Sequence, residues 1–223
     1  MTSIPYSFWF NHLTEIDGVQ WRPIDWDAAK IVRGLKQEPF KGYVRWKVGG
    51  AWRDFTTANV EHFVDVILPS LGGKIGELID GDISIVPIPN SGMAIGAKGD
   101  FRVVDLATKL VAGIGARAKM IPAIRWDKPR EKSHKTRGMR SPEMYQPFMR
   151  LADRPTGKVV LFDDVLTSGS QSVAAARFLK ENGYNVVHAV TVAKAGKTQV
   201  DKPFEFRTEE LLIDQPGWDF GDF

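Results

Sequence analysis

From Asp82 onward, short apolar runs alternate with segments of helical period. Ile83 to Ile88 reads as a strand, and Pro89-Asn90-Ser91-Gly92 as the turn after it. Phe101 to Val111 reads as a helix closed by Gly113 and Gly115. Lys119 to Ile124 and Lys158 to Phe162 read as strands, residues 172–182 as a helix, and Val186 to Val192 as a last strand. This alternation predicts an α/β fold, a parallel sheet flanked by helices on both faces. Ligands of such sheets bind beyond the carboxyl ends of the strands. Asn90-Ser91-Gly92 and Asp163 to Ser170 both fall there.

The earlier part of the chain has a different texture. Asp25 is placed to cap a short helix through about Leu35. Gly42 to Val48 and Ala51 to Phe55, separated by Gly49-Gly50, read as a hairpin. Thr57 is placed to cap a helix to about Leu71, with Val60, Phe63, Val64, Ile67 and Leu68 on one face and with Pro69 and Gly72-Gly73 to end it. The expected organisation is an N-terminal hood and hairpin region over 1–56, a core over 57–195, and an acidic, aromatic tail over 196–223.

Charge sharpens this picture. The net charge is +3, yet 201–223 carries seven acids against two bases, which leaves the rest of the chain at +8. Much of that excess lies in 125–140, with seven Lys or Arg and two acids. The tail also holds Phe204, Phe206, Leu211, Leu212, Ile213, Trp218, Phe220 and Phe223. So many large apolar groups are foreign to a disordered acidic segment. The tail is expected to pack on the aromatic N-terminal region or across a homodimer. Four of the seven Trp precede residue 50. Cysteine is absent, which excludes a disulfide framework and a thiolate zinc site. No apolar run approaches the ~20 residues of a membrane span, and no secretory signal pattern opens the chain. Cytoplasm is the default compartment.

The most informative stretch is 159–171, Val-Val-Leu-Phe-Asp-Asp-Val-Leu-Thr-Ser-Gly-Ser-Gln. A buried strand ends in Asp163 and Asp164. A hydroxyl-rich loop follows, and then an Ala-rich helix. The helix start offers unpaired N–H donors and partial positive charge to a phosphate. Gly169 permits close backbone approach, and Thr167, Ser168 and Ser170 add hydroxyl donors. The acids suit ribose hydroxyls or a hydrated Mg²⁺. Such an order builds a site for a phosphorylated sugar.

This stretch resembles the phosphoribosyl pyrophosphate (PRPP) motif of type I phosphoribosyltransferases: apolar run, two acids, then Val-x-Thr-x-Gly and a small residue. Gln171 stands where many relatives carry Thr. The resemblance implies transfer of 5-phosphoribosyl from PRPP to a nitrogen nucleophile, usually a nucleobase, with release of pyrophosphate and with Mg²⁺ as cofactor. It assigns Asp163, Asp164, Thr167, Ser168, Gly169, Ser170 and Gln171 to PRPP. Asp163 and Asp164 would also hold Mg²⁺, directly or through water. Asn90, Ser91 and Gly92 would form the pyrophosphate loop. The long basic loop 125–147 stands where the family carries a closing loop, and Arg125, Lys128 and Arg130 would meet the leaving pyrophosphate beside the catalytic acids. Arg140 followed by Phe148 is similar to the ComF-type branch associated with DNA uptake, which usually has Asn where this chain has Glu143. Two other readings stay open: a PRPP- or nucleotide-binding regulator that transfers nothing, and a nucleic-acid accessory role, against which the acidic tail argues.

Other motifs fall away. Gly113-Ile-Gly115 follows a helix, not a strand, and Gly72-Gly73-Lys74 lacks the spacing of a P-loop. His12, His62, His134 and His188 lack metal-ligand spacing, and His188 alternates within a strand as a structural residue would.

Overall fold

Six strands form the central sheet of the computed structural model, which describes residues 2–14, 18–99, 101–130 and 141–214. In chain order they are β1 (Ser3–Leu13), β4 (Ile83–Pro87), β5 (Ala118–Met120), β8 (Lys158–Leu166), β9 (Val186–Gly196) and β10 (Arg207–Leu212). In space they run β10-β1-β9-β8-β4-β5, parallel except for the antiparallel edge strand β10. Two ribbons stand apart from the sheet. One pairs β2 (Val44–Val48) with β3 (Ala51–Phe55), the hairpin with its Gly-Gly turn; the other pairs β6 (Ile124–Trp126) with β7 (Met149–Leu151).

Each face of the sheet has its own cover. Helices α1 (Pro23–Leu35), α2 (Val60–Leu78) and α3 (Arg102–Ile114) bury Ile31, Ile67, Leu68, Leu71 and Leu110 with Val160 and Phe162 of β8. On the other face α4 (Ser170–Glu181) sets Val173 to Ala176 and Leu179 with Val159 and Leu161, beside Trp126 and Met149 of the β6–β7 ribbon. β8 is apolar on both faces, as a central parallel strand must be. No helix among the described residues is long and apolar enough to cross a membrane.

Several element boundaries differ from the sequence expectations. Asp25 is not the first cap of α1: it sits one turn inside, 3% exposed, and its carboxylate accepts from the backbone and guanidinium of Arg22 and from Gln199. Thr57 does not cap α2, whose N-cap is Asn59; its hydroxyl instead closes a pair of hydrogen bonds with the backbone of Phe40. Pro69 and Gly72-Gly73 do not end α2, which continues to Leu78. They lie where α2 meets α3. A Cβ on Gly72 would stand 2.1 Å from the Leu110 carbonyl oxygen, and one on Gly113 would stand 1.8 Å from that of Pro69. Glycine there lets two helix backbones touch. Ile124 lies in β6, not in the strand that begins at Ala118.

β1, unforeseen as a strand, takes an inner place in the sheet, between β10 and β9. The tail packs within the chain: Phe204 meets Phe10 and Trp46, Ile213 is buried, and β10 covers the free edge of β1. Trp218, Phe220 and Phe223 lie outside the described residues.

Candidate functional site

The connections reverse direction between β4 and β8. From β4 the chain leaves through α3 to β5 on one side; from β8 it leaves through α4 to β9 on the other. The two strands are hydrogen-bonded neighbours, and Ile88 N–H donates to the Phe162 carbonyl at 2.8 Å. The loops after them therefore leave side by side from the carboxyl edge of the sheet, the place where open α/β sheets bind ligands. Those loops are Asn90-Ser91-Gly92 and Thr167-Ser168-Gly169.

Asp163 and Asp164 lie within β8, not beyond its end, because the strand continues to Leu166. Asp163 Oδ1 accepts the Asp164 N–H at 2.8 Å, and Asp164 Oδ1 accepts the Val165 N–H at 2.9 Å. Burial, and then the neighbouring Asp164 carboxylate, push the Asp163 carboxyl well above the usual range. Next to Asp163 on the adjoining strand stands Thr191, whose hydroxyl shares a 2.7 Å hydrogen bond with Tyr6. Arg102 Nη1 lies 2.5 Å from Asp164 Oδ2. Neither Tyr6 nor Arg102 carries a local sequence signal; only the fold brings them here.

Gly169 is the N-cap of α4 with φ +70°, the left-handed conformation that glycine takes most readily. Ser168 and Ser170 hydroxyls are 3.1 Å apart across it. The exposed Thr167 precedes them and the half-buried Gln171 follows. The first turn of α4 thus begins just beyond β8 with the Ser168 and Ser170 hydroxyls beside it, and a helix start of this kind suits an anion.

The turn after β4 is fixed both by its own Asn90 side chain and by residues that follow β5. Asn90 Oδ1 accepts the Gly92 N–H at 3.1 Å, and the Arg130 N–H donates to the Ser91 carbonyl at 2.9 Å. The Arg130 guanidinium is boxed by Phe148, Trp126 and Tyr145 at 4.7, 5.1 and 5.4 Å from their ring centroids. Arg125 lies over Phe101 at 4.9 Å. Of the three cations assigned to a leaving group, Lys128 alone is exposed. Arg125 belongs to β6, so the basic loop is shorter than its composition suggests. Lys132, His134, Lys135, Arg137 and Arg140 lie outside the described residues. Glu143 pairs with Arg177 of α4 at 2.6 Å, a role that accounts for an acid at that position.

Among the described residues no three acid, His or Cys side chains gather as a metal site. Two carboxylates, one already paired to Arg102, are hard oxygen donors of the kind Mg²⁺ takes, and too few to hold one without further ligands.

No family model and no curated protein matches the chain. Among solved structures it is similar to adenine phosphoribosyltransferase from Saccharomyces cerevisiae, at 13% identity over 74% of this chain and 89% of that one, with a TM-score of 0.37. It is also similar to orotate phosphoribosyltransferase from Aeropyrum pernix, at 16% identity over 76% and 82%, TM-score 0.37. A hypoxanthine phosphoribosyltransferase from Staphylococcus aureus shares 12% over 63% and 71%, TM-score 0.36. Similarity at this level carries neither substrate nor activity across to this chain.

Proposed function

We propose that the chain transfers 5-phosphoribosyl from PRPP to a nitrogen nucleophile, with a nucleobase as the favoured class, and releases pyrophosphate. One observation carries the reading: an acid pair, a hydroxyl-rich turn and a helix N-terminus stand at a β4–β8 switch point, opposite a second small turn. The 5-phosphate would lie on the first turn of α4, with Thr167, Ser168 and Ser170 as donors. Asp163 and Asp164 would accept from the ribose hydroxyls, and their charge would favour an oxocarbenium-like sugar. Asn90-Ser91-Gly92 would face the pyrophosphate with backbone N–H groups. Mg²⁺, when bound, would neutralise charge on the leaving pyrophosphate, held in part by Asp163 and Asp164.

A second reading has an observation of its own. Arg130 and Arg125 are engaged with aromatic rings, which leaves Lys128 as the exposed cation of the three. A protein that binds PRPP or a nucleotide as a signal, without transfer, needs no more than that. Incubation of the full chain with labelled PRPP, Mg²⁺ and a panel of purine and pyrimidine bases separates the two. Base-dependent release of pyrophosphate supports transfer; saturable binding without release under any base supports the regulator.

A further inference from the structure

Arg102 is the first residue of α3, and its guanidinium joins two places distant in the chain. Nη1 lies 2.5 Å from Asp164 Oδ2 and donates to the Leu35 carbonyl at 2.6 Å. Leu35 is the last residue of α1, and its carbonyl is among the acceptors that a helix end leaves unpaired. A cation at the start of α3 opposes the dipole of α3 itself, so the helix gains nothing from arginine there. Asp164 does. Its side chain is 10% exposed, and Oδ2 has no aligned hydrogen bond from the described residues. A buried carboxylate without a compensating charge is costly. Arg102 supplies that charge and ties the acid pair to the end of α1.

We infer that Arg102 is a positioning residue that acts as the built-in counter-cation of Asp164. It holds Oδ2 against α3 and keeps the acid pair from collecting a free divalent ion. This rests on the reading of the site given above.

Titration of Mn²⁺ into the full chain by electron paramagnetic resonance, with and without PRPP, tests it. Arg102→Gln is expected to tighten free Mn²⁺ by about tenfold or more, because a unit charge beside the carboxylate is gone. Arg102→Lys keeps the charge and is expected to stay within about threefold of the parent. A merely structural arginine would lower the melting temperature in both variants and leave free Mn²⁺ affinity unchanged in both, which overturns the proposal. Arg102→Met, which removes the charge but keeps much of the side-chain stem, gives an independent check should Arg102→Gln not fold. It is expected to tighten free Mn²⁺ as Arg102→Gln does; an affinity equal to the parent's in a folded Arg102→Met would overturn the proposal. If the parent binds no PRPP at all, the reading of the site fails, while the Mn²⁺ comparison without PRPP still decides the role of Arg102.

Discussion

Trp126 donates its indole N–H to the carbonyl oxygen of Asn90 at 2.8 Å, from a side chain wholly shielded from water. Its backbone adds two more bonds, to the Met93 carbonyl and from the Ile95 N–H, each 2.8 Å. One residue of the β6–β7 ribbon thus holds the turn that follows β4. The ribbon is not decoration on the sheet; it sets where Asn90, Ser91 and Gly92 can present their backbone.

Trp126→Phe keeps an aromatic ring but removes the indole donor and some volume. Stability is expected to fall by about 1–2 kcal/mol, and affinity for PRPP to fall with it. Chemical denaturation and calorimetry read the two effects. A variant with the parent's denaturation midpoint and the parent's affinity would contradict the clamp.

Two glycines of the α2–α3 contact are expected to behave oppositely. Gly113→Ala drives a methyl into the Pro69 carbonyl, 1.8 Å away, whereas a methyl on Gly73 meets nothing closer than 3.9 Å. The first should cost about 1–3 kcal/mol or more. The second removes a flexible residue from a helix interior and should be neutral or gain up to about 1 kcal/mol. Melting temperatures report this at roughly 2–4 °C per kcal/mol. Equal shifts in both variants would show that the helices do not approach so closely.

His188 is buried, and its Nε2 shares a 2.8 Å hydrogen bond with the Ser7 hydroxyl, which also meets Thr208. Burial lowers its pKa to about 4. An unfolded histidine titrates near 6.5, so between those values the unfolded chain binds the extra proton and the folded chain does not. Stability should therefore rise with pH from about 4 to about 6.5 and then level off for this group, by roughly 3 kcal/mol at most. Unfolding of the parent and of His188→Gln across that range checks it. The variant should show a shallower slope, and an unchanged slope would exclude His188 as the source.

The legible parts of the sequence were those whose signal is local. The apolar run of β8, its two acids, the hydroxyl turn and α4 lie within a few residues of one another, and the structure keeps that order. The hairpin was legible from Gly49-Gly50. Signals that depend on partners elsewhere misled or were silent. Pro69 and Gly72 look like helix stops, yet they serve a contact with α3, a constraint no window on α2 contains. β1 carries Phe8, Trp9 and Phe10 in an unbroken run and owes its place to β9 and β10, at the other end of the chain. Arg130 reads as a solvated loop cation, and only the converging rings of Trp126, Tyr145 and Phe148 make it structural. Arg102 is an ordinary helix residue until Leu35 and Asp164 come to either side of it.

The central claim is that PRPP binds at the acid pair and the first turn of α4. Calorimetric titration of PRPP with Mg²⁺ into the parent and into the double variant Asp163→Asn/Asp164→Asn tests it most directly. Charged hydrogen bonds to the ribose hydroxyls are worth roughly 1.5–3 kcal/mol each, so the double variant should lose at least about tenfold in affinity while it stays folded by circular dichroism. A folded double variant that binds PRPP as the parent does would place the site elsewhere and contradict the account.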